Sequence, residues 1–162
     1  KPQLRAELTL PALREVVLAG AGSAVVAGFS GDALRLVLEG AGNLDIKGRY
    51  KVIDARLSGV GKLNLNAEQS EQLELALPGV GRVTLVGNSK LLQARLNGVG
   101  TLDARQLIAE TAILKLNGVG NATLFVSQEV TLSMNGIGSA TVHGNPARRN
   151  VSLNGLGKIV WE

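Results

Sequence analysis

Asp54 and Glu74 are the two carboxylates whose spacing could do chemistry, because they stand twenty residues apart in a chain that repeats at about that interval. Stacked in neighbouring rungs of a repeat, they would lie ~5 Å from each other. Two carboxyl groups at that separation suit the nucleophile and acid of a retaining glycosidase. Arg35 holds the preceding place in the same column, and Arg56 and Arg95 lie two residues further along their own rungs. That neighbourhood favours a surface charge network over a catalytic pair. The chain also lacks a ring platform for a sugar, since Phe29, Tyr50, Phe125 and Trp161 are its four Phe, Tyr and Trp residues.

Other reactive constellations are limited by composition. There is no cysteine, which excludes disulfides and thiolate metal sites, and His143 is the single histidine, read here as an outward, solvated residue. Triads that need a histidine base have His143 alone to draw on, and a two-histidine zinc site cannot be assembled. No cofactor or metal is expected. Arg56, Arg95 and Lys115 form a candidate basic column, joined by Lys62 and Arg82, that could meet an acidic polysaccharide or a lipid headgroup. With 17 Lys and Arg against 13 acids, interspersed and netting +4, nucleic acid is not expected as a partner. No apolar run is long enough for a membrane helix. The chain opens on Lys1, so a processed segment is expected, with any export signal lying outside it.

The element that must position these residues is a repeat. Gly-x-Gly begins at Gly20, Gly40, Gly59, Gly79, Gly98, Gly118, Gly136 and Gly155, at intervals of 20, 19, 20, 19, 20, 18 and 19 residues. None of the eight continues to the third glycine of a dinucleotide loop. Two residues before each motif stand Leu18, Leu38, Leu57, Leu77, Leu96, Leu116, Met134 and Leu153, and apolar residues recur two further back and again four and six residues after each motif's first glycine. The places between are mostly polar. Period-two alternation on both sides of a glycine pair predicts two short strands per rung with one buried face. A rung this short leaves no room for a crossover helix, so the strands should pair in parallel and coil right-handed. The expected fold is all-β: one right-handed parallel β-helix of about eight rungs, with the glycines at corners where chains approach closely or φ turns positive. It fills residues 1–162 as one domain, with 1–19 a partial first rung or amino-terminal cap, 20–157 the motif rungs and 158–162 a carboxy-terminal cap under Trp161.

Two further columns carry candidate sites. Asn97, Asn117, Asn135 and Asn154 precede the last four motifs, and as a polar ladder they should bond rung to rung; display of their amides to a glycan is the functional alternative. The middle residues Val60, Val80, Val99, Val119, Ile137 and Leu156 form a column that strict alternation would point outward, as a candidate interaction ribbon. A corner at the glycines would instead turn them inward. Burial is the usual fate of a wholly apolar column, so the inward orientation is favoured.

Through these eight motifs and segments such as Leu57-Ser58-Gly59-Val60-Gly61-Lys62-Leu63, nearly the whole chain resembles the head GIN domain family of auto-transporter adhesins, bacterial β-helices of small-residue Gly-x-Gly rungs. The resemblance implies a periplasmic or extracellular place at the cell envelope and brings no catalytic residues. In that family the middle residue is often serine and commonly followed by aspartate. Here Ala21 and Ala41 open the middle column, and Ser23, Asn43, Lys62, Arg82, Thr101, Asn121, Ser139 and Lys158 follow the motifs, which puts cation binding along an acidic ladder in doubt. Three functions are carried forward. The first is a non-catalytic adhesin-like domain binding a glycan or cell-surface polymer. The second is a structural solenoid that associates with copies of itself, and the third a polysaccharide lyase or hydrolase using Asp54 and Glu74.

Overall fold

The computed structural model describes residues 4–8, 15–18 and 21–162. Leu10, Pro11 and Gly20 lie outside them, so the expected segment 1–19 is covered only in part. Eleven strands occur among the described residues: β1 (Leu4–Leu8), β2 (Glu15–Leu18), β3 (Ala21–Leu38), β4 (Ala41–Leu57), β5 (Val60–Leu77), β6 (Val80–Leu96), β7 (Val99–Leu116), β8 (Val119–Met134), β9 (Ile137–His143), β10 (Arg148–Leu153) and β11 (Leu156–Trp161). All pair in parallel, each rung on the one before, in a β-solenoid of about seven turns. Eight motifs bound seven full turns.

From β3 to β8 each rung is one long bent strand, where the sequence pattern suggested two short ones; the last full turn does divide in two, as β9 and β10. β3 to β8 run from the middle residue of one motif to the Leu or Met two places before the next. Only the residue before the motif and its first glycine interrupt the ladder. At this corner the Leu38 carbonyl accepts from both Ser58 N–H and Gly59 N–H, at 2.9 and 3.0 Å, and the Gly40 carbonyl accepts from Val60 N–H at 2.9 Å. The bends elsewhere shift the pairing register and then resume it, so β3 to β8 each run on as one strand.

The motifs lie in register from rung to rung: Ala41 on Val60, Val60 on Val80, Val80 on Val99, Val99 on Val119, Val119 on Ile137 and Ile137 on Leu156. Rung length varies, so the surplus must be taken up elsewhere. It is taken up away from the motifs, where the pairing shifts between Gly48 and Val52, between Ala67 and Ser70, and between Ala104 and Ile108. Such irregularities admit an extra residue at the cost of a local kink.

Close approach is what demands glycine. A Cβ on Gly61 would overlap the carbonyl oxygen of Gly42 below it, and one on Gly59 would overlap that of Gly40. Both obstacles are backbone and cannot rotate aside.

The inward columns form one aliphatic core. Leu38, Leu57, Leu77, Leu96, Leu116 and Met134 are buried, as are Leu44, Leu63, Val83, Leu102, Ala122 and Ala140 across from them. At the last rung Ile159 and Trp161 pack against this core in part, while Val151 and Leu153 remain about half exposed. Arg149 is held by Asn145 Oδ1 at 2.7 Å and the Pro146 carbonyl at 3.1 Å, which places its guanidinium 4.2 Å from the Trp161 ring centre. That cation–π contact covers part of the tryptophan.

One core group is out of place. Tyr50 is buried with its hydroxyl unpartnered, and burial raises its pKa above 10.0.

Gly100→Ala, whose Cβ would overlap the Gly81 carbonyl oxygen, should cost at least about 2 kcal/mol in denaturant unfolding. An unchanged midpoint would show that the corner can relax. Tyr50→Phe should instead raise stability by about 1 kcal/mol, because it removes a buried donor without a partner. The same phenol fixes a sign: with its folded pKa raised, stability is complete below pH 10 and falls as pH rises beyond it, since the unfolded chain ionises first. Melting curves across that range should show a steeper alkaline loss for the parent than for the Phe variant.

Candidate functional site

The outward positions around the motif make a ridge along the solenoid. The middle column points outward: Val60, Val80, Val99, Val119, Ile137 and Leu156 are between 47% and 77% exposed. This corrects the expectation of burial. Alternation runs unbroken through the motif, and the two half-buried glycines take the inward places on either side of the middle residue. No room exists beneath the corner for a side chain, so the middle residue has only solvent to face.

On one side of this ribbon stands the asparagine column. Asn117 Nδ2 donates to Asn97 Oδ1 at 2.9 Å, Asn135 Nδ2 to Asn117 Oδ1 at 2.9 Å, and Asn154 Nδ2 to Asn135 Oδ1 at 3.0 Å. The amides are thus engaged with one another along the axis. One place further out come Arg56, Arg95 and Lys115, with Arg95 and Lys115 adjacent in register and Ala76 between Arg56 and Arg95. On the ribbon's other side Lys62 and Arg82 are adjacent in register, and Lys158 closes the same column. All six cations are exposed.

From Arg56 to Lys158 these four outward columns contain no Asp or Glu. Among the described residues none of the six cations forms an ion pair.

A different edge, where the pairing irregularities occur, has the opposite character. Asp32, Lys51, Glu71, Lys90 and Glu110 immediately precede Ala33, Val52, Gln72, Leu91 and Thr111, which stack in register, so charge alternates in sign from rung to rung. Lys51 Nζ lies 3.8 Å from Asp32 Oδ1, and Arg49 lies 3.7 Å from Glu68 nearby. Asp32, Arg49, Lys51, Glu71, Lys90 and Glu110 line a groove of about 620 Å³. Its inner wall holds the buried Ser70 and Ser89, whose hydroxyls donate to the Gln72 and Leu91 carbonyls at 3.1 and 2.9 Å. The sequence reading missed this column, although five charges of alternating sign at intervals of 19 or 20 residues were there to be found.

Asp54 and Glu74 are register neighbours. They border a hollow of about 170 Å³ with Gln93 and Arg95, and Gln72 Nε2 donates to Glu74 Oε1 at 2.7 Å. The hollow is smaller than pockets that enclose a ligand. His143 is half-buried, not solvated as the sequence suggested, and its Nδ1 lies 3.6 Å from Glu162. Among the described residues no cluster of three or more His, Cys, Asp or Glu could hold a metal ion.

Parallel strands, an aliphatic core and in-register corners define a single-domain β-solenoid, with no helix among the described residues long and apolar enough to cross a membrane. The family model for the "Putative auto-transporter adhesin, head GIN domain" matches residues 1–146, and the chain belongs to that family. It is also similar to the crystal structure of a "putative adhesin" from Bacteroides fragilis, with a TM-score of 0.74 at 25% identity over 80% of this chain. The match covers 61% of that protein, so this chain spans about three-fifths of its length. No curated protein matches the chain. Family membership implies a place in the envelope or outside the cell.

Val99→Lys should change stability by less than about 0.5 kcal/mol, the ordinary range for an exposed site. A collapse of its melting temperature would return the middle column to the core.

Proposed function

We propose that this chain is a non-catalytic, adhesin-like binding domain of the bacterial envelope, and that its Gly-x-Gly ridge is the working surface for an anionic surface component. The observation that carries the reading is the charge pattern: six exposed aliphatic side chains and six exposed cations share four columns in which no carboxylate stands between Arg56 and Lys158. A basic stripe without acids raises the local concentration of anionic partners. Membership in a family described as adhesins, and similarity to a solved protein of the same description, support the binding role.

Catalysis draws less support, because the one spaced carboxylate pair, Asp54 and Glu74, faces a small hollow beside Arg95. Self-association through the ridge is opposed by its own charge. Two copies facing ridge to ridge would set cations against cations.

The test is retention on isolated envelope fragments and on acidic and neutral polysaccharides. The parent should be retained saturably by an acidic component, with no new reducing or unsaturated ends. The pair Val99→Asp and Val119→Asp should weaken retention at least tenfold, whereas Lys51→Gln with Lys90→Gln on the charge-paired edge should leave it unchanged. Retention indifferent to the ridge substitutions, or appearance of cleaved polymer, would overturn the reading.

A further inference from the structure

We infer that the partner of the ridge is an anionic lipid bilayer surface, along which the solenoid lies with its axis in the membrane plane. The inference rests on the ridge being the working surface and specifies what it meets.

The first argument is shape. The ribbon residues stack in register on every rung, so their side chains are collinear at steps of ~4.8 Å, and six of them span about 24 Å. A glycine stands on each side of every ribbon residue, so no neighbouring side chain shields it along its own rung. The aliphatic groups therefore stand clear of the backbone as a crest, with an apolar area on the order of a few hundred Å². A crest enters an interface; a groove encloses a polymer. The groove of about 620 Å³ lies on another edge, where its charges alternate and compensate.

The second argument is chemistry. Valine, isoleucine and leucine offer nothing to a sugar hydroxyl, and the four ridge columns contain no aromatic ring. Of the polar groups beside the crest, the amides of Asn97, Asn117, Asn135 and Asn154 bond to one another from rung to rung, and on the other side Ser139 Oγ donates to Asn121 Oδ1. What remains is an aliphatic line with long cationic side chains on both flanks: Arg56, Arg95 and Lys115 on one, Lys62, Arg82 and Lys158 on the other. Lys and Arg can extend along such a surface while their charged ends reach phosphate at headgroup level. An apolar line with cations beside it is the pattern of elements that lie in the membrane interface, where apolar burial and attraction to anionic lipid act together. The proposed arrangement achieves it with strand corners in place of a helix face.

The experiment is co-sedimentation with large vesicles of phosphatidylcholine containing about 30% phosphatidylglycerol, compared with phosphatidylcholine alone, at about 0.1 M salt. The parent should bind the anionic vesicles at least tenfold more tightly. Val99→Asp with Val119→Asp, confirmed as folded by its melting curve, should lose that binding. Neutralising four exposed cations, Lys62→Gln, Arg82→Gln, Arg95→Gln and Lys115→Gln, should weaken it by roughly five hundredfold, since each cation near such a surface contributes roughly fivefold.

Vesicle binding that survives both sets of substitutions would overturn the inference. Ridge-dependent binding to soluble polygalacturonate, with none to vesicles, would overturn the lipid assignment while leaving the ridge as the working surface. Loss of ridge dependence on vesicles, polygalacturonate and envelope fragments alike would overturn both.

Discussion

The carbonyl oxygen of one motif glycine occupies the space in which the next rung's glycine would carry a Cβ. This contact sets the distance and register of neighbouring rungs at one corner, and the other columns inherit their alignment from it. Because the corner cannot slip by a residue without inserting a side chain into backbone, every inward column stays aliphatic and every outward column stays outward. The core can therefore be built from leucine, valine and alanine with almost no rings, each side chain stacking on its counterpart one rung below. Tyr50 is the exception, a large residue beneath Gly31 whose ring approaches the place a Cβ would take there.

Much of this was legible in the sequence because each rung repeats the same physical problem. The glycine pairs, the leucine column before them and the apolar places after them fix a parallel solenoid when aligned. The asparagine column could be placed on the same basis. The orientation of Val60, Val80 and Val99 was harder to read, because composition and alternation gave opposite answers. An all-apolar column ordinarily signals core, and only the steric exclusion beneath two adjacent inward glycines decides for solvent. Strand division was obscured for a related reason. The alternation flanking each motif says nothing of the stretch near Gly48 and Ser70, where the pairing shifts register and then resumes.

The candidate surface was legible residue by residue and not as a whole. Arg56, Arg95 and Lys115 could be aligned as a column, and Lys62 and Arg82 as another. Their meaning depends on which residues separate them and on what stands elsewhere. Once the middle column faces out, two basic columns become the two flanks of one ridge. Against the compensated edge of Asp32, Lys51, Glu71, Lys90 and Glu110, that ridge is the part of the described surface where charge accumulates. A net charge of +4 over the whole chain conceals both the accumulation and the compensation.

The pairing irregularities between Ala67 and Ser70, or between Ala104 and Ile108, bear on how such a molecule can change. Turns of 18 to 20 residues close on the same corner because surplus chain is discharged on another edge. The ridge thus behaves as a ruler whose graduations come from backbone hydrogen bonding and not from chain length. Duplicating a turn would lengthen it by one graduation, adding an aliphatic group and its flanking positions at an unchanged pitch. For a surface that presents many equivalent headgroups or charges, strength of attachment then scales with the number of turns through simultaneous engagement, and the contact chemistry need not be redesigned.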